Sequence, residues 1–273
     1  LTERQKLIRD LEMLVEAGRA LSESLDPKSI YPLIYHYLSK VMPCDFVVVS
    51  SYDPKSSLIR CEFMHSSEGP QDVSNFPPIP LEPPDHGTQS RVIRSGTSLL
   101  LPDYEAALQT ASTVLYFDEK AEIYPEVDED RTRSAIIVPL KVNGMVAGVL
   151  QVLSTELRAH THDHLRFTEA LAFHVSSALS NAQLFSELEE RVRERTAEVQ
   201  DLYDNAPAGY HSLDASGRIV LINQTELGWL GYTRDEVVGR HISNFLTKTG
   251  LENFQETFPI FKYSGSIMGL ELE

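Results

Sequence analysis

Between Thr161 and Tyr203 the chain carries neither glycine nor proline, and that uninterrupted run constrains the fold more than any other feature. Phe167, Leu171, His174, Ala178, Asn181, Phe185, Leu188, Val192, Arg195, Val199 and Leu202 recur at alternating steps of 4 and 3. Such spacing keeps one stripe on a single side of a helix and suits a seam with a second helix. Outside the stripe, residues 187–198 are mostly charged, as on a solvated helix with one partner-facing side. Arg195, a polar residue on the seam, can fix its register. The first 25 residues repeat the pattern through Leu7, Leu11, Leu14, Gly18, Leu21 and Leu25, so a second seam helix is expected there.

Asp26-Pro27 breaks that first helix and starts another, with Asp26 as N-cap, Pro27 at the first helical position and Ile30, Leu33, Ile34, Tyr37, Leu38 and Val41 as its apolar face. Residues 44–52 and 58–65 read as a strand pair around the turn 53–57. Six prolines between 66 and 88 mark a long loop. A short helix over 87–94, a short strand over 98–101 and one or two helices over 103–122 follow. Asn143-Gly144 between the apolar runs 134–142 and 145–154 is the strongest hairpin signal, because both residues tolerate the positive φ of a type I′ turn. After Asn205-Ala206-Pro207-Ala208-Gly209 come strands over 210–214 and 218–223, a helix over 224–230, and Thr233 with Glu236 as a capping box. Residues 258–261 and 268–272 read as helix remnants or strand starts.

The segment Ser134-Ala135-Ile136-Ile137-Val138-Pro139-Leu140, with Gly144, Gly148-Val149-Leu150-Gln151-Val152 and the helix end Leu179-Ser180-Asn181-Ala182-Gln183-Leu184-Phe185, resembles a GAF domain over residues 27–185. From Leu202 onward, Asn205-Ala206-Pro207-Ala208-Gly209, Asp214-Ala215-Ser216-Gly217-Arg218-Ile219, Asn223, Leu230-Gly231-Tyr232-Thr233 and Val238-Gly239 resemble the opening of a PAS domain whose last three strands are not in the sequence. The resemblance implies an α+β fold: a GAF-like antiparallel sheet with flanking helices, a long coiled-coil-like linker helix and a partial PAS-like domain. The expected division is a dimerisation helix over 1–26, a GAF sensor over 27–183, a signalling helix over 184–203 and an incomplete PAS domain over 204–273.

What the resemblance implies for function is sensory input to a bacterial signalling protein, a sensor histidine kinase first. The alternatives are the input region of a cyclic-di-nucleotide cyclase or phosphodiesterase, a structural dimerisation module, and a GAF-fold methionine sulfoxide reductase. The expected partner is an unidentified small molecule in the GAF domain, with walls drawn from Phe63, His65, Val92, Leu100, Tyr104, Tyr116, Phe117, Ile136 and Val138; an ordinary core or a dimer contact is the alternative for each. A parallel homodimer held by helices 1–25 and 165–203 is the second expected partner.

Other chemistries find less support. Phe117-Asp118-Glu119-Lys120 lacks the spacer of the cyclic-nucleotide signature. Neither Cys44 nor Cys61 has the adjacent His of a bilin site. The two thiols sit on neighbouring strands and can be read as a redox pair or as small buried hydrophobes. His160 and His164 stand one turn apart, a metal pair or a solvated helix start capped by Thr161 or Asp163. In the PAS-like part, Asn223-Gln224-Thr225 lacks a flavin-linking cysteine, His241 is poorly placed for haem, and Trp229 is expected in the core. No cofactor is assigned.

No glycine-rich phosphate loop, phosphoacceptor pattern or catalytic triad stands in the sequence, so any reaction is expected outside it. Forty Asp+Glu against 24 Lys+Arg give a net charge of −16, which repels phosphate backbones and disfavours nucleic acid. There is no apolar run of about 18 residues to contact a membrane and no basic, apolar leader. The first residue is not Met, so the sequence is expected to be a fragment. Two cysteines make no disulfide framework, and a cytoplasmic location is expected.

Overall fold

The computed structural model describes residues 3–109, 116–117, 123–124 and 132–264. The chain divides into two compact units, Leu1–Glu187 and Leu188–Glu273.

In the first unit, α1 (Glu3–Ser22) and α2 (Pro27–Ser39) precede the hairpin β1 (Phe46–Asp53) and β2 (Leu58–Ser66). Asp26 caps α2 by accepting from the Lys28 amide at 3.0 Å. The proline-rich loop holds only the two-residue strands β3 (Gly69–Pro70) and β4 (Ile79–Pro80), because proline supplies no ladder donor. Then come α3 (Thr88–Ser95), β5 (Leu99–Leu101), α4 (Tyr104–Leu108), and a small ribbon of β6 (Tyr116–Phe117) and β7 (Ile123–Tyr124). The described parts of 103–122 are therefore one five-residue helix and a strand; the rest lies outside the described residues.

β8 (Ser134–Val142) and β9 (Met145–Ser154) form the expected hairpin, with φ of 52° at Asn143 and 80° at Gly144. The main sheet is antiparallel, in the order β3-β2-β1-β9-β8-β5, with β4 also on β2. The central strands β1, β9 and β8 are buried on both faces. Val47, Val49, Ile136, Val138, Leu150 and Val152 pack against α1, α2 and the start of α5 (His162–Asp204). Ile59, Ala135, Ile137 and Val149 pack against Val92 and Ile93 of α3, with Tyr104 of α4 alongside.

The amino-terminal helix differs from expectation. Ala17 and Leu21 are fully buried in the chain's own core, and Gly18 lies so close to α5 that a Cβ would meet the His174 ring at 2.9 Å. The sequence seam is thus spent partly inside the domain, because a small residue at Gly18 lets helix approach helix. The earlier part of the same seam, Leu7 and Leu11, stays exposed together with Ile8 and Val15 beside it.

α5 runs 43 residues without a break. Phe167, Leu171, Val175, Ala178 and Ala182 are core, whereas every residue from Gln183 to Leu202 is exposed. The exposed length is braced by Gln183–Glu187, Arg193–Glu190, Arg195–Glu198 and Gln200–Asp204 pairs at 2.7–2.9 Å. Each pair of this kind contributes about 0.2–0.5 kcal/mol.

In the second unit, β10 (His211–Leu213) and β11 (Ile219–Ile222) pair, followed by α6 (Gln224–Leu230), α7 (Arg234–Val237), a 3-10 turn (Ile242–Phe245) and α8 (Lys248–Ser264). Thr233 and Glu236 make the expected capping box. Ile219, Ile222, Leu227, Val237, Ile242 and Phe254 form the core. Residues 258–261 take the helical one of their two expected forms, inside a 17-residue helix that tolerates Pro259 in its interior, while 268–272 lie outside the described residues. One expectation fails. Trp229 is 67% exposed, because Leu227 takes the inward face of α6 and Trp229, two residues on, lies on the other side.

Candidate functional site

The nine candidate wall residues divide between the two faces of the sheet. Phe63, Ile136, Val138 and Leu100 join the core beneath α1, α2 and α5. His65 lies on the same side, its ring 3.7 Å from that of Tyr35, as Phe63 stacks on Tyr31 at 5.2 Å. Burial lowers the His65 pKa, and its Nδ1 is buried without a hydrogen-bond partner. That ring is neutral and has no carboxylate behind it, so it packs rather than catalyses. Val92 and Tyr104 lie on the opposite face. The side chains of Tyr116 and Phe117, and the segment 118–120, lie outside the described residues.

The α3 face is the chemically unusual one. Strand register sets Met64, Val48, Gln151, Ile137 and Leu99 side by side across β2, β1, β9, β8 and β5. Pairs directly opposite share a face, so a primary amide stands in the middle of an apolar row. Gln151 is only 4% exposed and makes no side-chain hydrogen bond among the described residues. One rung along, Ser50 is buried between Cys61 and Val149.

Above this floor, Gln89 precedes Val92 and Ile93 by three and four residues and so shares their inward side of α3. Its Oε1 is buried without a partner. The helix is fixed from outside: the Glu82 amide donates to Ser90 Oγ at 3.0 Å and Arg94 Nε donates to the Glu82 carbonyl at 2.7 Å. Sequence reasoning missed Gln151 and Gln89. The signal was present, since Gln151 is the one polar residue within Val149-Leu150-Gln151-Val152-Leu153.

The thiols do not form a redox pair. Cys61 sits across from Ser50, and Cys44 precedes that residue by six positions of mostly extended chain, a span of about 20 Å at about 3.3 Å per residue. Burial pushes both thiols up to about 12, which removes the nucleophilic thiolate at neutral pH. His160 and His164 serve structure too. His160 Nε2 lies 3.0 Å from the Pro43 carbonyl, Thr161 Oγ1 accepts from the His164 amide, and no group of three or more metal-ligating side chains occurs among the described residues.

The second unit has an apolar cavity of about 610 Å³ walled by Leu213, Ile242, Phe254, Phe258 and Phe261. At its other side the last residue of α5 is tied down. Asp204 accepts from Arg234 Nη2 at 2.8 Å and from the Gln224 amide at 3.1 Å; Asn223 Nδ2 donates to the Tyr203 carbonyl at 3.0 Å. His241 turns its Nδ1 to the Ser243 amide as a cap.

The GAF domain model matches residues 24–180, more than half the chain. The chain belongs to the GAF family. The PAS fold matches residues 197–260. No curated protein matches. Among solved structures, the GAF domain of a phosphoenolpyruvate-protein phosphotransferase from Coxiella burnetii is similar at a TM-score of 0.51 and 14% identity, covering 66% of this chain and 98% of that one. The corresponding domain from Acinetobacter gives 0.50 and 13%, covering 67% and 97%. These likenesses show the fold. A GAF domain followed by a PAS fold makes this chain a sensory signalling region. No helix among the described residues is long and apolar enough to cross a membrane.

Proposed function

We propose that the chain is the input region of a signalling protein, a sensor histidine kinase first among them, in which a small molecule held on the α3 face of the GAF sheet is reported through α5 to the PAS domain. The observation that carries this reading is the double anchoring of one helix. Phe167, Leu171, Val175 and Ala178 of α5 are part of the GAF core, and Tyr203 and Asp204 of the same helix are bonded into the PAS unit. A packed helix has discrete arrangements rather than a continuum, so a change in its core packing biases what its far end can do.

The exposed stripe of Leu184, Leu188, Val192, Val199 and Leu202 supports pairing with a second copy in parallel. Full burial of one such side chain is worth about 1.5–3 kcal/mol. Ten of them, already about half covered, give on the order of 8–15 kcal/mol, close to the ~4–15 kcal/mol cost of association. The stripe alone makes a marginal pair, and the exposed face of α1 is available to add to it.

The test is a thermal-shift screen of small metabolites, since a native-state binder must raise the midpoint. It is followed by amide exchange along α5 with the binder present. Altered protection beyond Glu187 supports the relay. A binder that leaves that stretch unchanged contradicts it.

A further inference from the structure

We propose that the ligand of the α3 face is a neutral molecule with a donor and an acceptor on one edge, a lactam, imide or carboxamide, read by the two amides of Gln151 and Gln89. This rests on the reading of that face as the sensor site and names the chemistry it selects.

Three observations carry it. Gln151 as a residue is 4% exposed on the central strand of the sheet, flanked by Val48 and Ile137, and its side chain makes no hydrogen bond among the described residues. Buried polar groups are paired in nearly all proteins, and an unpaired one marks a place where a partner arrives. The second unpaired group, Gln89 Oε1, comes from the helix that covers the same face. A primary amide offers one carbonyl acceptor and one NH₂ donor; its complement is another amide-like edge. Charge argues the same way. The floor from Met64 to Leu99 and its neighbours Ser50, Cys61 and Val149 hold no cationic side chain to neutralise an anion. A purely apolar ligand would leave both amides unpaired.

The experiment uses the full chain with four probes: uracil and nicotinamide as neutral amide-edged molecules, benzoate as an anion and indole as an apolar ring. Binding is read by thermal shift and by isothermal titration. Uracil or nicotinamide is expected to raise the midpoint, Gln151→Leu to weaken that binding at least tenfold, and Gln89→Leu to weaken it several-fold. Gln151→Leu without ligand is expected to melt at or above the parent temperature, which separates lost binding from lost folding. If benzoate or indole binds instead, unaffected by either substitution, the amide assignment is overturned while a ligand site on this domain stands. If none of the four binds, the amide assignment is overturned, and the sensor reading rests on the metabolite screen alone.

Discussion

Arg234 of α7 holds the carboxylate of Asp204, the last residue of α5, at 2.8 Å, so the end of the long helix is bonded to the PAS unit through a side chain thirty positions away. Asp204 also caps the start of α6 through the Gln224 amide. Arg234→Ala removes one of these two ties and Asp204→Ala both. Amide exchange at residues 223–226 is expected to rise modestly in the first variant and strongly in the second. Equal, unchanged protection in both would show that the contact carries no mechanical role. Hydrogen bonds, from Gln200 first, hold the Asp204 carboxyl below its usual range. A lowered acid stabilises the fold above its unfolded pKa and loses that contribution as pH falls through the folded value. The tie is therefore intact at neutral pH and is lost only as pH falls below the ordinary carboxylate range.

Gly148 faces the same kind of constraint from backbone alone. A Cβ there would lie 2.2 Å from the Ser50 carbonyl oxygen on the adjacent strand, and that oxygen cannot swing away as a side chain could. Gly148→Ala is expected to cost about 1–3 kcal/mol by forcing β1 and β9 apart. A urea midpoint equal to the parent's would contradict this packing.

The two histidines at the start of α5 make stability depend on pH in a defined direction. Desolvation lowers both His160 and His164 below the ordinary histidine value. Around His164 stand Lys6 and Asp10 from α1, and Asp163 and His160 from its own segment; Asp45 faces His160. The folded state binds fewer protons than the unfolded one, so stability is full above the unfolded pKa of about 6.5 and declines as pH falls below it. Denaturant unfolding at pH 7.5 and 5.5 is expected to show the loss, and His164→Gln to reduce the slope. A flat profile in the parent protein would mean that neither ring is desolvated in solution.

Cys44 and Cys61 give a direct check on the absence of thiol chemistry. Both thiols are desolvated and pushed up to about 12. Iodoacetamide at pH 8 is expected to modify them slowly in the native protein and rapidly in urea. Fast native labelling of either would reopen the reductase reading.

The periodic and turn-rich parts of the fold were legible in the residues. Asp26-Pro27, Asn143-Gly144, Thr233 with Glu236 and the run without glycine or proline each fix a backbone conformation locally, and the structure has them where the sequence puts them. The site was less legible because burial alternates along a strand. Ile136 and Ile137 look alike in sequence yet face opposite cores. A list of apolar wall residues therefore mixed the helix-packed side with the α3 side, and only register separates them. Trp229 was misread for a related reason: whether a helix exposes an indole depends on neighbours that the local sequence does not name.

The central claim is that the exposed half of α5 is a paired, parallel rod. Leu188 and Val192, each 57% exposed, lie on its seam, so Leu188→Glu is expected to weaken dimerisation in sedimentation. The most direct measurement is pulsed electron spin resonance on two single-label variants, Glu189→Cys and Thr196→Cys, seven residues apart and so at the same place beside the seam, in a chain whose half-buried Cys44 and Cys61 are replaced by alanine. A parallel pair predicts similar, short distances between protomers at both positions, lost on adding Leu188→Glu. No dipolar coupling at either label, or a short distance at one and a long one at the other, would contradict the account.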